Sequence, residues 1–517
     1  MRLTQGLERA AMCHGNQTAT VYEGQKRSWA QVRDRVARLA RGLREAGAEA
    51  GDRIAIIALN SDRYLEAYYA ILWAGCVCVP GNTRWAAAEH AYALNDSEPT
   101  LLLVDDAFAP MVPTLRTPGL RNVVHMGDGP APEGMLSYEH LIETSAPMED
   151  ASTSGDALAG IFYTGGTTGW PKGVMLSHAG LIASFLSLSI VSPFSEQTVY
   201  LHAAPMFHLA DAILVFGLTY IGATHVMQSS FTPSGVVGAI ASEGVNTLLL
   251  VPTMISMVAE HLRDHPADLS GVTRLSYGAS PISESLLRRA MEIFPNAAFR
   301  QGYGQTEMSP GIAVLTALDH ALDGPKARLL RSAGRPIPLT DVKIVDQSMN
   351  AVATGEVGEI VVRGPSMMLG YWRKPELTAE TIVDGWLRTG DAGYLDDEGY
   401  IFLVDWVKDM IVSGGENVFS AEVENALSKH PAVLECAVVG VPDDRWGERV
   451  HAILRLRDGH AATEEDLTRH CAELIAGYKR PRSYEFRTQP LPLSGAGKIL
   501  KSELRKPYWQ GAQRNVG

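Results

Sequence analysis

Apolar residues recur at helical spacing across residues 28–47, with Val32, Val36, Leu39 and Leu43 on one face. Ser28 and Gln31 supply a start signal and Gly47 a stop, so the spacing predicts an amphipathic helix. An apolar run at 54–59 reads as a strand, followed by a helical stretch to Gly75 and a short strand to Pro80, a βαβ rhythm. The rhythm returns downstream. Strand-like runs at 247–251 and 274–277 alternate with helical patterns at 252–262 and 283–293. This alternation predicts an α/β fold, with parallel sheets covered by helices. From about Asp341 short alternating strands such as 342–345 and 359–362 are separated by Gly-rich turns, which predicts a smaller antiparallel or barrel-like subdomain. After Lys408 the α/β pattern resumes, with a helix near 421–427, a strand at 435–441 and a helix near 464–475. A tail of roughly a hundred residues can form its own small α+β domain.

Composition narrows the class. The 517 residues are 46% hydrophobic and 20% charged, a globular mixture, and no apolar run approaches the ~20 residues of a membrane span. The N-terminus lacks the basic-then-apolar layout of a signal peptide. Five cysteines show no metal-framework spacing, and Cys76 and Cys78, inside an apolar run, read as buried small hydrophobes. Reduced thiols fit a cytoplasmic protein. A net charge of −13 argues against a nucleic-acid partner. It leaves room for an anionic ligand in a locally positive cleft, and a homodimer is compatible with it.

The first chemistry lies at residues 163–173, which hold four glycines, three threonines and a lysine. Glycine lets amide N–H groups approach an anion, Thr164, Thr167 and Thr168 add donors, and Lys172 adds a mobile charge. Such a turn can wrap a polyphosphate. Trp170 and Pro171 before Lys172 break the spacing of the common P-loop, so an ordinary ATPase is disfavoured.

Further clusters follow in order: Pro205-Met206-Phe207-His208, Tyr277-Gly278-Ala279-Ser280-Pro281, Gln301 through Glu307, Trp386 through Asp391, Lys408-Asp409-Met410-Ile411 and Gly495 through Lys501. With the opening loop, this set resembles the adenylate-forming superfamily of acyl-CoA synthetases, luciferases and peptide-synthetase adenylation domains. The resemblance spans nearly the whole chain. It implies attack of a carboxylate on the α-phosphate of ATP, release of pyrophosphate, and an acyl-adenylate that a thiol then resolves.

On that resemblance, Thr164, Gly165, Gly166, Thr167, Thr168, Gly169 and Lys172 hold the β- and γ-phosphates. Thr306 donates to the α-phosphate and Glu307 ligates Mg2+. Tyr303 stacks on adenine beside Gln301 and Gly302, Gly278, Ala279 and Ser280 cover its other face, and Asp391 takes the ribose hydroxyls. Lys498 reaches the carboxylate and α-phosphate oxygens. Lys408 is the hinge about which a mobile C-terminal domain, residues 408–517, turns against an N-terminal domain, residues 1–407. In the second conformation Gly414 and Gly415 line a pantetheine tunnel, and Arg84, Trp446, Tyr478, Arg480 and Arg482 contact coenzyme A.

Two positions depart from the family pattern. Gly165 stands where a serine is usual, which removes a hydroxyl donor, and Trp406 stands where a ribose-binding arginine is usual. The acyl pocket is expected from His208, Ala210, Leu214, Tyr277, Gly278 and Gly302, with His208 as a gate or aromatic wall. No pair of arginines adjoins these segments to demand a dicarboxylate. A medium- or long-chain fatty acid and an aryl-propenoic acid such as ferulate or coumarate both fit. The alternatives are an adenylate-forming enzyme with another acceptor and a nucleotide-binding member without turnover.

Overall fold

Ser28 opens the helix Trp29–Glu45 with both halves of a capping box, its hydroxyl accepting from the Gln31 N–H and the Gln31 side chain accepting from the Ser28 N–H. Val32, Val36, Leu39 and Leu43 are buried, as their spacing predicts. The computed structural model describes residues 1–517 apart from 116, 167–168, 280–281, 407–410, 414–415, 419, 444–445, 494–498 and 510–517.

Two large sheets dominate. The nine-stranded sheet has a parallel centre that includes Val199–His202, Thr247–Leu249, Arg274–Gly278 and Ala298–Gly304, with antiparallel strands at both edges. The eight-stranded sheet runs parallel through Val77–Pro80, Arg53–Ile57, Leu101–Val104 and Asn122–His125. Its other flank is the antiparallel hairpin Leu158–Gly166 and Gly169–Ser177. The glycine-threonine segment read from sequence as one turn is therefore mostly strand. Ile161, Val174 and Leu176 are buried and anchor it, and the tip at 167–168 lies outside the described residues.

Helices Asp62–Trp73 and Leu209–Ile221 are buried on almost every side, the position of a helix that is apolar all round. One apolar cluster runs through them to both large sheets, taking Ile54, Leu101 and Phe162 from the eight-stranded sheet and Tyr200 and Ile312 from the nine-stranded one. The strands Asp341–Val345, Gly358–Arg363, Trp386–Leu395, Ile382–Val383 and Ile401–Trp406 form an antiparallel five-stranded sheet, as their alternation predicts. A fourth sheet holds Ile411–Ser413, Glu416–Val418, Val433–Asp443, Gly447–Leu456 and Ser483–Arg487. Cys76 and Cys78 are buried, and burial raises both thiol pKa values. No described helix is long and apolar enough to cross a membrane.

Candidate active site

Parallel strands Arg274–Gly278 and Ala298–Gly304 end at a cavity of about 690 Å³, the edge where open α/β sheets bind ligands. The hairpin brings Thr164 and Lys172 to its wall as cross-strand partners. Lys172 Nζ donates to the Tyr371 hydroxyl at 3.1 Å and sits 4.4 Å from its ring centroid. That hydroxyl donates in turn to Glu307 Oε1 at 2.8 Å. Burial and the Glu307 carboxylate push the Tyr371 pKa up, so it remains a phenol. Tyr371 links the lysine expected at the phosphates to the expected metal ligand, and sequence reading missed it. It reaches the site because Gly370–Tyr371 pairs with Val174 and Met175 of the hairpin.

Close backbone approach explains the glycines beside it. A Cβ on Gly278 would stand 2.3 Å from the Gly302 carbonyl oxygen, whereas Gly302 faces open space. Ala279 adopts a left-handed φ of 63°. The Tyr303 hydroxyl donates to Asp391 Oδ2 at 2.6 Å, joining the expected adenine and ribose residues. Strand pairing sets Trp406 opposite Asp391.

Thr164 Oγ1 and Gln301 Oε1 are buried at the cavity and make no hydrogen bond among the described residues. Such atoms fit a ligand with phosphate oxygens and exocyclic donors, as ATP has. Glu307 is buried, and the described residues contain no cluster of three metal-binding side chains. A lone carboxylate fits Mg2+ shared with nucleotide phosphates, since that ion keeps several water and phosphate ligands.

The opposite part of the cavity is apolar, with Leu188, Phe194, Ile213 and Leu214 beside Ala210, Tyr277 and His208. His208 caps helix Leu209–Ile221, its Nδ1 accepting from the Ala210 N–H at 3.3 Å. Burial, together with the Arg84 charge, pulls its pKa down to about 4, so the ring is neutral near pH 7. Asn60, also missed from sequence, pins this loop: its amide donates to the His202 and Ala204 carbonyls and its oxygen accepts from Met206 N–H at 2.7 Å.

Beneath lies a polar chain with no counterpart in the sequence reading. Asp211 accepts from the Tyr200 hydroxyl at 2.7 Å and lies 2.5 Å from His202 Nδ1. His202 Nε2 meets His225 Nδ1 at 2.9 Å, and His225 Nε2 meets Thr219 Oγ1 at 3.3 Å. The Thr219 hydroxyl donates to the Val215 carbonyl, so it accepts from His225 Nε2. His225 Nδ1 then accepts from His202 Nε2. All of these side chains are fully buried. Asp211 within an apolar helix was the available signal.

An arginine pair also lies at this cavity, one of the two lining it. Arg300 lines it, and Arg274 lies close enough to feel its charge, so the expectation of no nearby arginine pair fails. The two are separated in sequence and meet only because their strands are neighbours.

The residues expected at coenzyme A divide. Arg84 lines the cavity, whereas Trp446, Tyr478, Arg480 and Arg482 are not among its lining residues. Within that second group the Arg482 guanidinium stacks 4.6 Å from the Trp446 ring, and Tyr478 is 41% exposed. Thr167, Thr168, Ser280, Lys408, Gly414, Gly415 and Lys498 lie outside the described residues.

The chain belongs to the AMP-binding enzyme family: the family's model matches residues 7–372, and the model of its C-terminal domain matches 422–498. It is thus an enzyme of the adenylate-forming superfamily that its motifs resemble. It is 40% identical over 501 residues to a feruloyl-CoA synthase of Amycolatopsis sp, covering 97% of this chain and 98% of that protein. A long-chain-fatty-acid–CoA ligase of Thermus thermophilus is 36% identical over 524 residues, covering 98% and 96%. The o-succinylbenzoate coenzyme A synthetase (MenE) of Bacillus subtilis, solved in complex with ATP and magnesium ion, has a TM-score of 0.84 at 29% identity, covering 96% of this chain and 98% of that one.

Proposed function

We propose that the protein is an acid–thiol ligase that activates a carboxylic acid with ATP, through acyl-AMP, and passes the acyl group to coenzyme A with release of AMP and pyrophosphate. The observation that carries this reading is one cavity with an apolar part beside His208 and a polar part joining Thr164, Lys172, Glu307 and Tyr303. Lys172 and Thr164 hold the terminal phosphates, Thr306 the α-phosphate, and Asp391 the ribose. Glu307 holds Mg2+, which neutralises charge on the phosphates. Lys498 brings its ammonium to the reacting oxygens from a C-terminal domain, residues 408–517, that turns about Lys408. The sheets support that division, since three end by residue 406 and the fourth begins at Ile411. The five cysteines are free thiols, which supports a reducing cytoplasm.

The acid is an aryl-propenoic acid such as ferulate or coumarate, or a medium- or long-chain fatty acid. The feruloyl-CoA synthase and fatty-acid ligase relatives support this range. Ala210 adds support because its small side chain leaves length in the pocket. Incubation with ATP, Mg2+, coenzyme A and a panel of these acids should yield AMP and acyl-CoA together. AMP without thioester would indicate a different acceptor, and neither product with any acid would reject the ligase reading.

A further inference from the structure

Strand alternation places Arg274, Ser276 and Gly278 on one face of the nine-stranded sheet, and Arg300, Gly302 and Gly304 on the same face of the next strand. Ser276, Gly278, Arg300, Gly302 and Gly304 all line the cavity. Arg274, which is not itself a lining residue, stands four residues before Gly278, ~13 Å along the strand on the side away from the nucleotide residues. Its guanidinium lies 4.3 Å from the centroid of Phe194, another lining residue.

Neither guanidinium is fully satisfied among the described residues. Arg274 NH2 donates to the Pro193 carbonyl, but its NH1 is buried without a hydrogen bond. Arg300 NH1 makes a long 3.4 Å contact with the Ala298 carbonyl, and its Nε is buried and unpaired. Among the described residues no carboxylate acts on either charge, and burial lowers both pKa values, that of Arg274 to about 10 with help from Arg300. Nearby His320 adds no charge of its own near pH 7, because burial lowers its pKa to about 4, and its Nε2 meets the Tyr277 hydroxyl. Glu359, which also lines the cavity, is held by Arg388. Two adjacent, partly desolvated guanidiniums without an acid form a seat for an oxygen acceptor, since their planar N–H groups suit charge-assisted pairing.

We propose that Arg300 and Arg274 form a distal subsite that binds a second oxygen-bearing group of the acid, a carboxylate or a phenolic oxygen, at the end opposite the reacting carboxyl. The assignment rests on the ligase reading and narrows its substrate to acids that are polar at both ends.

The test uses two matched pairs, suberate with octanoate and 4-hydroxycinnamate with cinnamate, in pyrophosphate-exchange kinetics and in isothermal titration of the acid alone. The wild type should favour the oxygenated member of at least one pair by about 10- to 100-fold in kcat/KM and in affinity. The responding pair distinguishes a carboxylate from a phenol. Arg300→Met should bring that ratio near one, mainly through KM, and Arg300→Lys should restore part of it. Arg274→Met provides a second reading if Arg300→Met does not fold. Equal binding within both wild-type pairs, or a ratio unchanged in Arg300→Met and Arg274→Met, would overturn the subsite. Absence of AMP with every acid would instead reject the ligase reading, while titration still decides the subsite.

Discussion

Tyr371→Phe removes one oxygen from the link between Lys172 and Glu307 and leaves the ring in place. The lost hydroxyl accepts from Lys172 Nζ at 3.1 Å and donates to Glu307 Oε1 at 2.8 Å. Hydrogen bonds to charged groups contribute about 1.5–3 kcal/mol, more than a neutral pair, because the charge strengthens them at a buried site. The ring stacked on Lys172 persists, so most of the cation–π attraction remains. The net loss should fall on the positions of the lysine and the carboxylate. If both act only once phosphate charge develops, kcat/KM for ATP in pyrophosphate exchange should drop about 10- to 100-fold. The Mg2+ concentration for half-maximal rate should rise, because Glu307 is less firmly oriented. Tyr371→Leu, which also removes the ring, should be worse. Unchanged exchange and unchanged Mg2+ dependence in Tyr371→Phe would refute the coupling of these residues in one phosphate site.

Lys498→Ala should cut adenylation ~10²-fold, the usual effect of removing a preorganised donor, yet largely spare thioester formation from supplied acyl-adenylate; equal loss in both assays would contradict its role. Gly278→Ala forces a Cβ to within 2.3 Å of the Gly302 carbonyl oxygen, so it should destabilise the protein by about 1–3 kcal/mol and raise the KM for ATP. Denaturant melts and ATP titration check both effects, and a fully stable variant with normal KM would contradict the close approach. Burial holds His90, His178, His208 and His320 neutral, with pKa values near 4 against an ordinary 6.5. The unfolded chain therefore takes up protons first on acidification. Stability from these groups is full above pH ~6.5 and declines as pH falls toward 4, each contributing up to about 1.4 kcal/mol per pH unit. Thermal melts across that interval should show a falling Tm, and a flat profile would contradict the assignment.

Local pattern was enough for several of the chain's elements, though not for the hairpin at 158–177, which read as a turn. The helix Trp29–Glu45 follows from apolar spacing and the Ser28–Gln31 cap, because both depend on residues within a few turns of each other. The same holds for strands Asp341–Val345 and Gly358–Arg363, short apolar runs set off by turns, although Ile360, Val361 and Val362 are buried in succession rather than in alternation. Motif order pointed to Lys172, Glu307, Tyr303 and Asp391 as candidates for a nucleotide site. The tertiary structure alone decided which other side chains share it. Tyr371 meets Lys172 across 199 positions, and Asn60 reaches the loop before His208 across 146. Asp211, His202 and His225 form one chain of hydrogen bonds although they lie on different elements. Arg274 and Arg300 meet through strand pairing. Helical and strand periodicity report which face of an element is buried, but a hydrogen bond between distant elements leaves no periodic trace. Its partners are fixed by sheet order and register, which emerge only when the whole core packs.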